Sequence, residues 1–86
     1  MKELSVPLEV GSRKPIYEQI YDYIKKEIRD KNLRAEAKLP STRALCVHLN
    51  VSRSTVQLAY DQLLSEGYIE ARPCRGYYVF ELDGLF

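Results

Sequence analysis

Two helices separated by only three residues constrain this chain more than any other feature of its sequence. Ser41 is a favourable N-cap for a helix from Thr42 to about Leu49, and Ser52 is a favourable N-cap for a second helix. Asn50 stands where the first helix must end, and asparagine is second only to glycine in adopting the left-handed conformation common there. So short a connection predicts a tight turn between the two helices.

The second helix of this pair has one apolar side and one polar side. Its apolar residues recur at the i, i+3, i+4 and i+7 spacing of a buried helix face, namely Val56, Ala59, Tyr60 and Leu63. The opposite side carries Ser54, Gln57, Leu58 and Asp61. Gly67 marks the end, so we predict a helix over residues 52–66. Leu58 on the polar side can contact a thymine methyl group or a second protein surface, although a single exposed leucine needs no explanation.

A longer amphipathic helix precedes this pair. Pro15 suits a first helical position because its missing N–H costs nothing there. Apolar residues then follow at three- and four-residue steps, which predicts a helix that runs to about Lys31. Residues 1–12 alternate apolar side chains with others and are predicted to be extended, and residues 32–38 are predicted to be a connector.

Residues that favour β-structure fill two segments near the end of the chain, residues 68–72 and 77–80. The loop between them contains Pro73 and Gly76, which predict a hairpin. Pro73 suits the second position of a type I turn, and Gly76 can adopt the positive φ that such loops require.

These elements predict an α+β fold, a winged helix-turn-helix in which three helices are followed by a two-stranded β-hairpin wing. We predict three parts of the chain: an extended arm over residues 1–12, the winged domain over residues 13–80 and, over residues 81–86, the start of a linker to a missing C-terminal domain.

The distribution of charge is more informative than its sum. The formal net charge is +1, which by itself predicts no partner. No acidic residue occurs between Glu36 and Asp61 or between Glu70 and Glu81. These segments contain the basic residues Lys38, Arg43, Arg53, Arg72 and Arg75. A fold that brings both segments together would create one positive face suited to a polyanion, and chance is the alternative explanation.

Composition argues against several other classes of protein. The 86 residues suffice for one small domain, and they contain neither a signal peptide nor an apolar stretch of membrane-spanning length, so we expect a cytoplasmic protein with no membrane partner. Two cysteines and one histidine are too few for a zinc site. A disulfide between Cys46 and Cys74 is left open, although a reducing cytosol disfavours it. No acid, base and nucleophile converge, so we do not expect an enzyme.

In a winged helix-turn-helix, the second helix of the pair enters the major groove with its N-terminal residues at the base edges. Arg53 can contact guanine O6 and N7 or a phosphate, or it can remain solvated, while Gln57 can pair with adenine N6 and N7. Ser54 and Thr55 can bond to phosphates or bases, and the helix N-terminus at Ser52 favours a phosphate.

Residues outside this helix complete the predicted DNA interface. Arg43, in the first turn of the preceding helix, can reach the DNA backbone or lie across to the second helix. Arg72 and Arg75 flank the hairpin tip with Gly76, where a wing would meet phosphates or the minor groove. The expected partner is double-stranded DNA. A winged helix that binds proteins, and therefore lacks the basic face, is the alternative.

Five stretches resemble the winged helix-turn-helix of the GntR family of bacterial transcription regulators: PIYEQI at residues 15–20, LPSTRAL at 39–45, VSRSTV at 51–56, AYDQL at 59–63 and EGYI at 66–69. The resemblance covers about residues 8–80, in order and with the family's spacing. It is strongest to the MocR branch, in which the winged domain precedes a large aminotransferase-like domain that binds pyridoxal phosphate. The short-tailed YtrA branch is the next candidate.

The resemblance implies that Arg43, Arg53, Ser54 and Thr55 contact operator DNA and that the full-length protein is a homodimer on paired half-sites. It implies no cofactor in this chain, since any pyridoxal phosphate would belong to a missing C-terminal domain. The family's wing normally carries Gly-x-Gly at its tip, and here Cys74 replaces the first of these glycines. A type I turn would tolerate Cys74 where a type II turn would not.

Overall fold

The computed structural model describes residues 6–80, and it confirms the predicted order of three helices and a hairpin. The elements are α1 (Ile16–Arg29), α2 (Thr42–Leu49), α3 (Arg53–Ser65), β1 (Ile69–Arg72) and β2 (Gly76–Val79). The two strands are antiparallel, with Ile69 opposite Val79. The first five residues of the predicted arm and the predicted linker over residues 81–86 lie outside the described residues. Between residues 6 and 80, no helix is both long enough and apolar enough to cross a membrane.

Local capping explains where α2 and α3 begin and end. The hydroxyls of Ser41 and Ser52 each accept a hydrogen bond from the backbone N–H three residues later, at 3.0 and 3.2 Å. Asn50 adopts the left-handed conformation, with φ 57° and ψ 48°, and Gly67 follows the end of α3 with φ 82°. Each serine cap contributes about 1 kcal/mol and sets the residue at which its helix begins.

The first helix ends before the predicted Lys31, at Arg29. Lys31 adopts φ 63°, and the N–H of Asn32 donates to the Glu27 carbonyl oxygen at 2.9 Å. This left-handed turn terminates α1 although no glycine is present. The apolar spacing therefore overestimates the length of the helix.

The apolar face of α3 lies at the centre of the hydrophobic core. Its four predicted core residues are all fully buried, which confirms the predicted stripe: Val56, Ala59, Tyr60 and Leu63. The other helices and the hairpin cover this face with Ile20, Ile24, Leu39, Leu45, Ile69 and Val79. Burial of one such side chain is worth about 1.5–3 kcal/mol, so the packing of α3 sets the arrangement of the remaining elements.

The predicted connector forms an additional edge of the hairpin. Residues 36–39 run antiparallel beside β2. The N–H of Glu36 donates to the Val79 carbonyl oxygen at 2.9 Å, and the N–H of Leu39 donates to the Tyr77 carbonyl oxygen at 2.9 Å. β2 is therefore held between β1 and the segment that leads into α2.

The described part of the predicted arm packs against α1. Val6 is buried, whereas Val10 is exposed. The side-chain amide of Gln19 accepts from the Glu9 N–H at 2.8 Å and donates to the Glu9 carbonyl oxygen at 3.1 Å. The Gln19 side chain thus satisfies the backbone N–H and carbonyl oxygen of Glu9, as a neighbouring strand would.

The tip of the hairpin differs from the predicted type I turn. The N–H of Arg75 donates to the Arg72 carbonyl oxygen at 3.0 Å, so Pro73 occupies the second position of the turn as expected. Cys74, at the third position, has φ 60°, whereas a type I turn has a φ of about −90° there. The type I prediction is therefore wrong, because a positive φ at the third position is characteristic of a type II turn. The predicted positive φ of Gly76 is confirmed at 105°.

We expect Cys74→Gly to raise the free energy of unfolding by about 1 kcal/mol. The left-handed conformation strains a residue that has a Cβ by about 1–2 kcal/mol, and the greater freedom of glycine in the unfolded chain offsets part of that gain. Urea unfolding measures the difference. Cys74→Ala is the matched control, since it removes the thiol and keeps the Cβ. An equal gain in both variants would contradict an origin in the backbone.

Candidate nucleic-acid interface

Helix α3 begins with an exposed arginine. The Arg53 guanidinium has no hydrogen-bond or ion-pair partner among residues 6–80. The first turn of α3 contains no acidic residue. The partial positive charge of the helix N-terminus therefore adds to the charge of Arg53, and this end of the helix is suited to an anion.

The three predicted hydroxyl groups cluster at the same helix end. Ser52 Oγ lies 2.7 Å from Thr55 Oγ1 and 3.2 Å from Ser54 Oγ. Thr55 is half-buried, while Ser52 and Ser54 are exposed. A hydroxyl can both donate and accept, so the exposed pair can bond to a ligand while Ser52 continues to cap the helix.

Gln57 is half-buried and faces the hairpin. Its Nε2 donates to Asp61 Oδ1 at 2.9 Å and to the Tyr77 hydroxyl at 3.3 Å. The predicted adenine contact needs both the nitrogen and the oxygen of this amide, so it requires release of these partners. Arg53 lies four residues earlier and hence on the same side of α3, so the contact with Tyr77 brings the hairpin beside the start of the helix.

Arg43 is exposed in the first turn of α2, and its guanidinium has no hydrogen-bond or ion-pair partner among the described residues. Together with Ser41, Ala44, Val47 and His48, it borders an open depression on the outer side of α2. Val47 is exposed over 73% of its surface. Because no described contact ties Arg43 to α3, its side chain is available to a ligand.

The two hairpin arginines differ in their surroundings. Arg75 is exposed and makes no described contact with another side chain. The Arg72 guanidinium forms ion pairs with Glu36 and Glu70, and its Cζ lies 4.2 Å from the centroid of the Tyr78 ring. The hydrogen bonds with Glu36 and then with Glu70 raise the pKa of Arg72. The charge of Arg72 is thus already compensated within the domain.

Lys38 is a cation at the hairpin that the predicted interface omitted. It is exposed, has no ion-pair partner in residues 6–80, and pairs through its backbone with Tyr78. Its Cε lies 3.6 Å from the point that a Cβ on Gly76 would occupy. The sequence could have indicated Lys38 as part of the interface because it lies in a segment without acidic residues. Only the pairing of residues 36–39 with β2, however, places it beside the hairpin tip.

Tyr60 supports these surface residues from the core. Its hydroxyl donates to the Pro40 carbonyl oxygen at 2.7 Å. Its ring makes an edge-to-face contact with Tyr77, with centroids 4.9 Å apart and planes at 77°. Burial, and to a lesser extent the charge of an ionised Tyr77, raise the pKa of Tyr60. Tyr60 therefore remains a protonated hydrogen-bond donor at neutral pH.

Both cysteines are free thiols, so the disulfide that the sequence left open is not formed. Cys46 is half-buried, and its Sγ donates to the Arg43 carbonyl oxygen at 3.1 Å. Cys74 is exposed at the hairpin tip. Within the described part of the chain, no three His, Cys, Asp or Glu side chains are arranged to hold a metal ion.

The sequence matches the family described as bacterial regulatory proteins, gntR family, over residues 16–79. It is 43% identical over 68 residues to the probable rhizopine catabolism regulatory protein MocR of Rhizobium meliloti, an alignment that covers 79% of this chain and 14% of MocR. The chain spans 14% to 17% of the length of MocR and of two similar HTH-type transcriptional regulators of Bacillus subtilis.

Two solved structures are informative about the fold. YtrA from Sulfolobus acidocaldarius, described as a GntR-family transcription factor, is 38% identical with a TM-score of 0.84, and the match covers 88% of this chain and 80% of that one. The DNA-binding domain of AraR, solved in complex with an operator, is 26% identical with a TM-score of 0.73 over 88% of this chain and 93% of that one. The chain therefore belongs to the gntR family of bacterial regulatory proteins, and it contains the winged helix-turn-helix domain of that family.

Proposed function

We propose that this domain binds double-stranded operator DNA with the start of α3 in the major groove and the hairpin against the backbone or the minor groove. The observation that carries the proposal is the exposed Arg53 at a helix N-terminus whose first turn lacks an acidic residue. In winged helix-turn-helix domains this helix end meets the base edges. The complex of the related AraR domain with an operator supports the same use of the fold.

The proposed contacts divide into those that read bases and those that hold phosphates. Bases are read chiefly by Arg53, with Ser54 and Thr55 beside it, because these side chains lead α3. Phosphates are held by the start of α3 at Ser52 and by Arg43, Arg75 and Lys38. Arg72 contributes less than the sequence suggested, since a phosphate must displace Glu36 and Glu70 from its guanidinium.

Selection of bound duplexes from a random pool, followed by affinity measurements at several salt concentrations, tests this function. DNA binding by this surface predicts enrichment of a defined sequence and a steep loss of affinity as salt rises, because phosphate contacts release counterions. Absence of binding to any duplex would contradict the proposal and favour a winged helix that binds another protein.

We expect Arg53→Ala to weaken binding to the selected duplex by about 1–3 kcal/mol and to relax the preference at one base pair, because a bidentate contact with a base edge is lost. Titration against duplexes that vary at each position measures both effects. Unchanged affinity and preference would contradict the base-reading role of Arg53. A melting temperature equal to that of the unsubstituted chain is the control for folding.

We expect Arg75→Ala to weaken binding to all duplexes alike and to reduce the slope of log affinity against log salt by about 1, since one phosphate contact is lost. Arg29→Ala, at the end of α1 and outside the proposed interface, makes the same change of charge and is the matched control. A loss confined to one duplex sequence, or an equal change of slope in the control, would contradict a phosphate contact at Arg75.

The greater length of MocR and its relatives supports a further proposal about the full-length protein. We propose that it continues into a C-terminal domain that dimerises, and that pyridoxal phosphate, in a MocR-like protein, is bound by that domain and not by this one. A symmetric dimer would read half-sites about 34 Å apart or a multiple of that distance.

The 86-residue chain is accordingly expected to sediment as a monomer and to bind a single half-site weakly. Analytical ultracentrifugation of this chain measures its oligomeric state. A stable dimer at micromolar concentration would contradict the assignment of dimerisation to a missing domain.

A further inference from the structure

Gln57 has no free amide hydrogen to offer a base. A carboxylate oxygen accepts and cannot donate, so the nitrogen end of the Gln57 amide must face Asp61, to which it donates at 2.9 Å. The same NH₂ group donates to the Tyr77 hydroxyl at 3.3 Å. Its two hydrogens are therefore both engaged, and none remains for adenine N7.

Tyr77 is fixed on its remaining sides by the core and by the connector. Its ring makes an edge-to-face contact with the fully buried Tyr60, and its carbonyl oxygen accepts from the Leu39 N–H at 2.9 Å. Among the described residues, the hydrogen bond between Gln57 and the Tyr77 hydroxyl is therefore the polar side-chain contact that links β2 to α3.

We propose that Gln57 and Tyr77 form a brace that sets the position of the hairpin relative to α3, so that Arg53 and Arg75 reach the same duplex together. This inference rests on the proposed DNA binding. Arg53 lies one helical turn before Gln57, and Arg75 lies two residues before Tyr77, so the brace joins the segments that carry the two cations. Gln57 is then a positioning residue. Because the brace places Arg75 before DNA arrives, binding does not have to supply the free energy of ordering the hairpin.

The test uses the 86-residue chain and a duplex selected by that chain from a random pool. Gln57→Ala removes the amide, while Tyr77→Phe removes only the hydroxyl and keeps the ring against Tyr60. Gln62→Ala is the matched control, because Gln62 lies on the same helix and donates to Glu66 at 3.3 Å instead of to the hairpin. Thermal melts establish that every variant is folded at the temperature of the assay.

Gln57→Ala and Tyr77→Phe are each expected to weaken binding by about threefold to tenfold, the range that corresponds to one net hydrogen bond. The loss is expected on selected and scrambled duplexes alike, with a smaller salt slope, and the double variant is expected to be no weaker than either single variant. In an Arg75→Ala background both effects should disappear, because the cation that the brace positions is absent. Gln62→Ala should bind like the unsubstituted chain.

Other results would overturn the brace. A relaxed preference at one base pair in Gln57→Ala, with normal binding by Tyr77→Phe, would make Gln57 a base reader. Unchanged affinity in both variants, or a loss that persists in the Arg75→Ala background, would also refute coupling through the hairpin. If the unsubstituted chain showed no salt-dependent binding to DNA, the proposed function itself would fail, so the two failures are distinguishable.

Discussion

The arrangement of this domain depends on the burial of Tyr60 in the middle of α3. Its ring is fully buried and makes an edge-to-face contact with Tyr77, and its hydroxyl donates to the Pro40 carbonyl oxygen. One side chain thereby joins the start of α2, the helix proposed to meet DNA and the inner strand of the hairpin. Loss of a buried aromatic residue typically costs about 3–5 kcal/mol, against about 1 kcal/mol for a helix cap. In a domain this small that difference is a large share of the total stability, so the buried side of α3 fixes the fold and leaves its outer side free to carry specificity.

The features that could be predicted from the sequence are those that act over a few residues. Ser41, Asn50, Ser52 and Gly67 each exert their effect within about one helical turn, and the structure places all four as expected. The hairpin tip shows where local reasoning fails. Cys74 has a Cβ, which argues for a right-handed residue, yet it adopts φ 60° in the three-residue loop between β1 and β2. The conformation of a hairpin loop depends on both strands that it joins, so the preference of a single residue does not decide it.

The DNA contacts predicted for the candidate site remain predictions, and the structure describes the state of each side chain. Arg43, Arg53 and Arg75, which come from the segments without acidic residues, are exposed. The count of charges in those segments included Arg72 and Lys38 on equal terms, and the predicted interface then kept Arg72 and omitted Lys38, because a charge count carries no information about partners. Glu36 and Arg72 are 36 residues apart, and no periodicity in the sequence reports that they meet. For Gln57, helical geometry predicted the side of α3 on which it lies. Its contact with Tyr77, 20 residues away, could be found only from the three-dimensional structure.

The pairing of residues 36–39 with β2 affects how the domain resists a force applied to α2 or α3. This pairing joins the segment before α2 to the strand after α3, and so closes a loop of about 40 residues that contains both helices. Closing such a loop costs chain entropy, so this pairing is expected to be among the last contacts of the domain to form. Once this pairing has formed, α2 and α3 can separate from α1 and the hairpin only if the backbone hydrogen bonds between residues 36–39 and β2 also break. A duplex that bends or drags on α3 would therefore be resisted by the backbone ladder of the hairpin as well as by the packing beneath the helix.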